Sequence, residues 1–225
     1  MSTDAVDRPA VPRQLLDTGM VAIARAASTM HIERAVATLI DAGVTCIEIS
    51  LTVPGAVETI GVLATAFESS ACIGAGTVLT IEQARECIDV GAAFLVSPSA
   101  VPAVVHAAAI DGVPCLPGAL TPTEIVAAWE SGAAAVKLFP ASVGGARYVR
   151  EVRAPLPDIP LIPTGGVGID EAGLYIAAGC LAVGVGGPLF GDALTGGQLT
   201  ELADRAAQFL RAIAQARGAL PAGAP

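Results

Sequence analysis

The chain has 225 residues, a net charge of −9, 53% hydrophobic residues and only 4% aromatics. That length suits one α/β domain, and the acidic balance argues against nucleic acid or an anionic membrane surface as partner. Mean hydropathy is high at +0.67, yet no apolar run reaches the roughly 18 to 20 residues that span a bilayer, and no N-terminal stretch has the make-up of a signal peptide.

Residues 1–12 carry Asp4, Asp7, Arg8 and Pro9 without periodicity and are expected to form a flexible leader. Short β-type runs then alternate with helical ones. Strands are predicted over residues 21–24, 46–50, 72–75, 94–97, 114–116, 135–138, 161–163 and 182–185. Between them, apolar residues recur at helical spacing, as in Ile32, Ala35, Val36, Leu39 and Ile40. Thr80 with Gln83, and Thr121-Pro122-Thr123-Glu124, have the form of capping boxes. Gly43, Gly91, Gly112, Gly132 and Gly179 each fall between a helix and the next strand, where a left-handed residue ends the helix. Residues 200–218 form the closing helix, and residues 219–225 a disordered Pro/Ala/Gly tail. Eight βα units predict an α/β fold of the (β/α)8 TIM-barrel type, a single domain over residues 13–218.

The five cysteines, at 46, 72, 87, 115 and 180, lack short metal-type spacing and read as buried thiols of a reducing, cytoplasmic protein. The two histidines, His31 and His106, are far apart, so no metal and no cofactor is expected.

In a barrel of this kind chemistry gathers at the C-terminal ends of the strands. The chain has eleven arginines and a single lysine, Lys137, inside the apolar run Ala135-Val136-Lys137-Leu138. Lysine alone among cationic side chains can release its proton near neutral pH and attack a carbonyl, and desolvation favours that neutral form. A lysine that snorkels to solvent, or one that clamps a phosphate, is the competing reading. Glu48 is the only charged residue between Asp41 and Glu58. A carboxylate inside a β-branched strand is costly unless paired or functional. It is read either as a general acid/base or as a salt-bridge partner of Arg25 or Lys137.

Taken in order, Val21-Ala22-Ile23-Ala24-Arg25, Ile47-Glu48-Ile49-Ser50, Gly74-Ala75-Gly76-Thr77, Val96-Ser97-Pro98, Lys137-Leu138-Phe139-Pro140 and Pro163-Thr164-Gly165-Gly166 are spaced as in a known family. The chain resembles the class I aldolases of 2-keto-3-deoxy-6-phosphogluconate and 4-hydroxy-2-oxoglutarate from about Gly19 to the last helix. The resemblance implies a metal-free lyase acting on a small 2-keto acid, with Lys137 forming an imine and Glu48 moving protons. It implies that Thr77, Thr164, Gly165 and Gly166 bind the keto acid, that Pro98 and Phe139 line the pocket, and that the assembly is a homotrimer. Some members carry an arginine where Thr52 stands, and Arg25 is expected to replace that cation. The family often has Gly-Ser after the eighth strand; here Gly186-Gly187-Pro188 leaves backbone amides as the anion donors. The galactonate epimer of the phosphogluconate substrate is an alternative. So are a phosphate-binding isomerase or synthase without imine chemistry, and a non-catalytic sensor.

Overall fold

The structure is a computed structural model that describes residues 8–219. Most of the expected leader (residues 1–12) and tail (residues 219–225) lies outside the described residues. Arg8 stacks over the Trp129 ring, 3.3 Å from its centroid, and donates to the carbonyls of Ala133 and Trp129.

The chain runs through α1 (Arg13–Thr18), β1 (Met20–Ala24), α2 (Ile32–Asp41), β2 (Cys46–Ser50), α3 (Ala56–Ala66), β3 (Cys72–Gly76), α4 (Ile81–Asp89), β4 (Leu95–Val96) and α5 (Pro102–Ile110). It continues through β5 (Cys115–Leu116), β6 (Gly118–Ala119), α6 (Pro122–Glu130), β7 (Val136–Leu138), α7 (Gly145–Arg153), β8 (Leu161–Pro163), α8 (Ile169–Ala177), β9 (Val183–Val185), α9 (Gly187–Phe190) and α10 (Leu199–Gly218). Both capping boxes form, and the five helix-ending glycines all have positive φ. Among the described residues no helix is long and apolar enough to cross a membrane.

Every strand pair is parallel. A curled six-stranded sheet has the order β5-β4-β3-β2-β1-β9, and a second sheet the order β6-β7-β8. In place of one eight-stranded ladder there are thus two sheets. The fifth predicted strand (residues 114–116) forms as β5, and just beyond it Pro117, whose ring nitrogen has no proton to give a neighbour, separates β5 from the unpredicted β6. The Pro117 carbonyl still accepts from the Lys137 amide at 2.9 Å, and Ala134 N donates to Cys115 O at 2.9 Å. On the other side, an isolated bridge joins Thr164 to Gly184, and Leu181 N donates to Leu161 O at 3.1 Å.

The strands are buried on both faces, as parallel sheets with helical covers require. Alternate residues feed two layers. Ile47, Ile49, Val136 and Leu138 pack toward the helices, whereas Val21, Ile23, Cys46, Cys72, Phe94, Val96, Leu116 and Ile162 form an inner cluster. Leu15 of α1, an element the sequence did not predict, enters that cluster beside the first residues of β2 and β3 and is fully buried. Burial of such a side chain stabilises by roughly 1.5–3 kcal/mol. The sheets' C-terminal ends are left to the polar residues.

Candidate active site

Lys137 is the middle residue of β7. Its neighbours Val136 and Leu138 pack outward, so strand alternation turns the lysine inward. It is only 6% exposed, and its Nζ lies 5.3 Å from the centroid of the Phe139 ring, within reach of a cation–π contact.

Glu48 holds the corresponding place in β2 and is 1% exposed. Its Oε1 has no hydrogen-bond partner, and among the described residues no ion pair involves it. The salt-bridge reading of Glu48 is therefore not what the structure shows. Burial pushes its carboxyl above the usual carboxylate range, while the positive charges of Lys137 and Arg25 act through space in the opposite direction. A carboxyl in that balance can both take and return a proton. Its room is provided by Gly76: a Cβ there would overlap the carboxylate itself.

Two adjoining cavities meet at Lys137. The larger, about 260 Å³, is lined by Arg25, Lys137, Phe139, Thr164, Gly165, Gly166, Gly186 and Gly187 together with Phe190 and Leu194. The smaller, about 10 Å³, is lined by Glu48, Lys137 and Thr164 with apolar neighbours. That is about the space of a single water molecule. Eight of the expected site residues thus share one cavity, and Glu48 faces Lys137 from the recess beneath.

Thr77 and Pro98 line neither cavity. Thr77 follows β3 with φ 63°, the only positive φ outside glycine among the described residues. Its hydroxyl lies 2.9 Å from that of Ser50. Pro98 places its carbonyl against Gly118, where a Cβ would not fit.

Thr164 follows β8 and makes an isolated bridge to Gly184 of β9. Its amide donates to Leu138 O at 2.9 Å, and its hydroxyl to Ile162 O at 3.3 Å. Gly165 and Gly166 follow with φ of 93° and 73°, and neither amide donates to a backbone carbonyl among the described residues. Successive amides left free in a turn can form a cradle for an anion. Gly187, expected as an amide donor, begins α9, with Pro188 just inside. A Cβ on Gly187 would meet nothing within 4 Å. Among the described residues, no group of three or more His, Cys, Asp or Glu side chains could hold a metal.

The sequence reading missed Ser50, Phe190 and Leu194. Ser50 had a signal, since it stands two residues from Glu48 on the same strand face. Phe190 and Leu194 had none, because they reach the cavity only through the fold of the segment after β9.

Comparison with known proteins places the chain among aldolases. The family model described as KDPG and KHG aldolase matches residues 11–203. A Rhizobium meliloti (strain 1021) protein named probable 2-dehydro-3-deoxy-6-phosphogalactonate aldolase is 36% identical, covering 86% of this chain and 92% of its own. The 2-dehydro-3-deoxy-6-phosphogalactonate aldolase of Escherichia coli (strain K12) is 34% identical, covering 88% and 95%. A solved structure described as native KDPGal superposes with a TM-score of 0.83 at 34% identity, covering 88% of this chain and 96% of that one.

Proposed function

The chain belongs to the KDPG and KHG aldolase family and is a carbon–carbon lyase, and from that premise we propose that it cleaves a 2-keto-4-hydroxy acid through a Schiff base on Lys137. The isomerase, synthase and sensor readings fall with the family assignment. The observation that carries the proposal is the shared recess. The one lysine and the one strand-borne glutamate face each other there, beneath a cavity large enough for a small acid.

In this reading the Lys137 amine adds to the C2 ketone, and loss of water gives an iminium. Glu48, as carboxylate, takes the proton of the C4 hydroxyl. The C3–C4 bond breaks toward the iminium, an aldehyde leaves, and an enamine of pyruvate remains. Protonation at C3 by Glu48 and hydrolysis then free pyruvate and the lysine. Arg25 and Thr164, with Thr77 from beside the cavity, orient the substrate carboxylate, and Phe139 walls the site with Pro98 outside it. The amides of Gly165, Gly166, Gly186 and Gly187 take the distal anion.

We read the two sheets as one closed (β/α)8 barrel in a single domain over residues 13–218. The Thr164–Gly184 bridge and the Ala134-to-Cys115 hydrogen bond support closure at the two seams. A homotrimer follows from the resemblance. A cytoplasmic site agrees with five cysteines that are all free and buried.

For the substrate, 2-dehydro-3-deoxy-6-phosphogluconate, with glyceraldehyde 3-phosphate as the aldehyde, and 4-hydroxy-2-oxoglutarate, with glyoxylate, are the main reading. The galactonate epimer is the second, favoured by the names of the relatives above. Pyruvate release from the three acids, compared as kcat/KM, tests the proposal. Turnover of at least one supports it, and the ranking of the epimers chooses between the readings. No turnover of any of the three would refute it.

A further inference from the structure

A second polar group sits one layer above Glu48. Ser50 ends β2, faces inward like Glu48, and is fully buried. Its Oγ stands 2.9 Å from Thr52 Oγ1 and 2.9 Å from Thr77 Oγ1. The Thr52 amide also points at it, 3.4 Å away. Strand register explains the meeting. Ser50 pairs with Gly76, so the next residue, Thr77, would ordinarily turn its side chain away. The left-handed backbone at Thr77 brings the hydroxyl back toward Ser50. A β-branched residue in that conformation persists only where its surroundings hold it.

We propose that Ser50 is a positioning residue that fixes the direction in which Thr77 presents its hydroxyl proton to an ionised carboxylate. The Ser50 hydroxyl has one proton and two lone pairs. With no solvent to reach, it donates to one threonine and accepts from the other. Thr52 is exposed and can orient its proton inward, and its amide already faces the Ser50 oxygen. That arrangement makes Ser50 the acceptor from Thr52 and the donor to Thr77. Thr77 Oγ1 then accepts from Ser50 through one lone pair and keeps its own proton free. A donor held in that sense favours an anion over a neutral group that carries its own donors.

The inference rests on the aldolase reading, and the test separates the two. Wild-type protein and the Ser50→Ala, Ser50→Thr, Thr77→Val and Ser50→Ala/Thr77→Val variants are incubated with pyruvate or with its neutral amide. They are then reduced with borohydride, and the adduct is measured by intact mass against ligand concentration. Loss of one charge-assisted hydrogen bond predicts that Ser50→Ala raises half-saturation for pyruvate about tenfold. Half-saturation for the amide should move less than about twofold, because that ligand makes no charge-assisted bond. In turnover the change should fall on KM rather than kcat. Ser50→Thr should restore pyruvate binding, and the double variant should be no weaker than Thr77→Val. Equal losses for acid and amide would overturn the proposal, as would additive losses in the double variant, or unchanged pyruvate binding in Ser50→Ala. Should Ser50→Ala not fold, a Thr77→Val variant that treats acid and amide alike overturns it. A wild-type protein that traps no pyruvate removes the aldolase reading and this inference together.

Discussion

Glu48 occupies the space that a side chain on Gly76 would fill. The two residues belong to paired strands, and the ladder sets Glu48 opposite Gly74 and Ser50 opposite Gly76. The carboxylate leans across that register by one layer, toward the C-terminal end, into the opening the glycine leaves. The position of the acid/base group thus depends on a residue with no side chain.

Gly76→Ala should therefore expel the carboxylate from its recess. A displacement of about 1 Å at a reacting group costs on the order of 100-fold in rate, and overpacking costs about 1–3 kcal/mol in stability. The loss in kcat should be non-additive with Glu48→Gln, because the second change removes the group that the first one moves. Steady-state kinetics of the single and double variants checks this. Additive losses would mean that Gly76 acts by another route.

The raised carboxyl of Glu48 gives a pH dependence of definite sign. Folded Glu48 keeps its proton after the unfolded chain has released it. The stability tied to that proton is fully present below the unfolded value of about 4.3 and is lost as pH rises through the higher folded value. Urea unfolding as a function of pH should show wild type losing stability relative to Glu48→Gln over that interval. A flat difference would contradict the assignment.

Arg25 and Lys137 both hold the Glu48 carboxyl down against the larger effect of burial. Arg25→Gln removes one of those cations and should raise it further. The acidic limb of the kcat profile then moves to higher pH, alongside a rise in KM if Arg25 also binds the substrate carboxylate. An unmoved limb with an unchanged KM would place Arg25 outside the site.

Three of the cysteines should be inert in the folded protein. Burial pushes the thiols of Cys115 and Cys180 up to about 12 and that of Cys87 to about 11. The nucleophile is the thiolate, so iodoacetamide at pH 8 should leave these three unlabelled in native protein and label them in urea. Labelling of Cys115 before unfolding would show that the layer between strands and helices opens on the timescale of the reaction.

Much of this was legible in the sequence, and for identifiable reasons. The runs over residues 46–50 and 161–163 were read to the residue, because apolar segments bounded by turns leave little freedom in the ends. Lys137 and Glu48 stood out because each is a lone charge in an apolar strand. The strand that resumes at Gly118 was not read, since a proline with no amide proton looks like the end of a strand. Nor was the docking of α1, whose Leu15 is buried only by tertiary packing. Thr77 and Pro98 were candidates through their place at strand ends and through the family resemblance, and they line neither cavity. Phe190 and Leu194 line it because α9 and the turn after it fold over the strand ends, a long-range consequence that local pattern does not carry.

The most direct test of the whole account is peptide mapping after borohydride reduction in the presence of pyruvate. The account predicts a single reduced pyruvyl adduct on Lys137, absent from Lys137→Arg, with turnover lost in the same variant. An Arg variant that still cleaves its substrate, or an adduct mapped to any other residue, would contradict it.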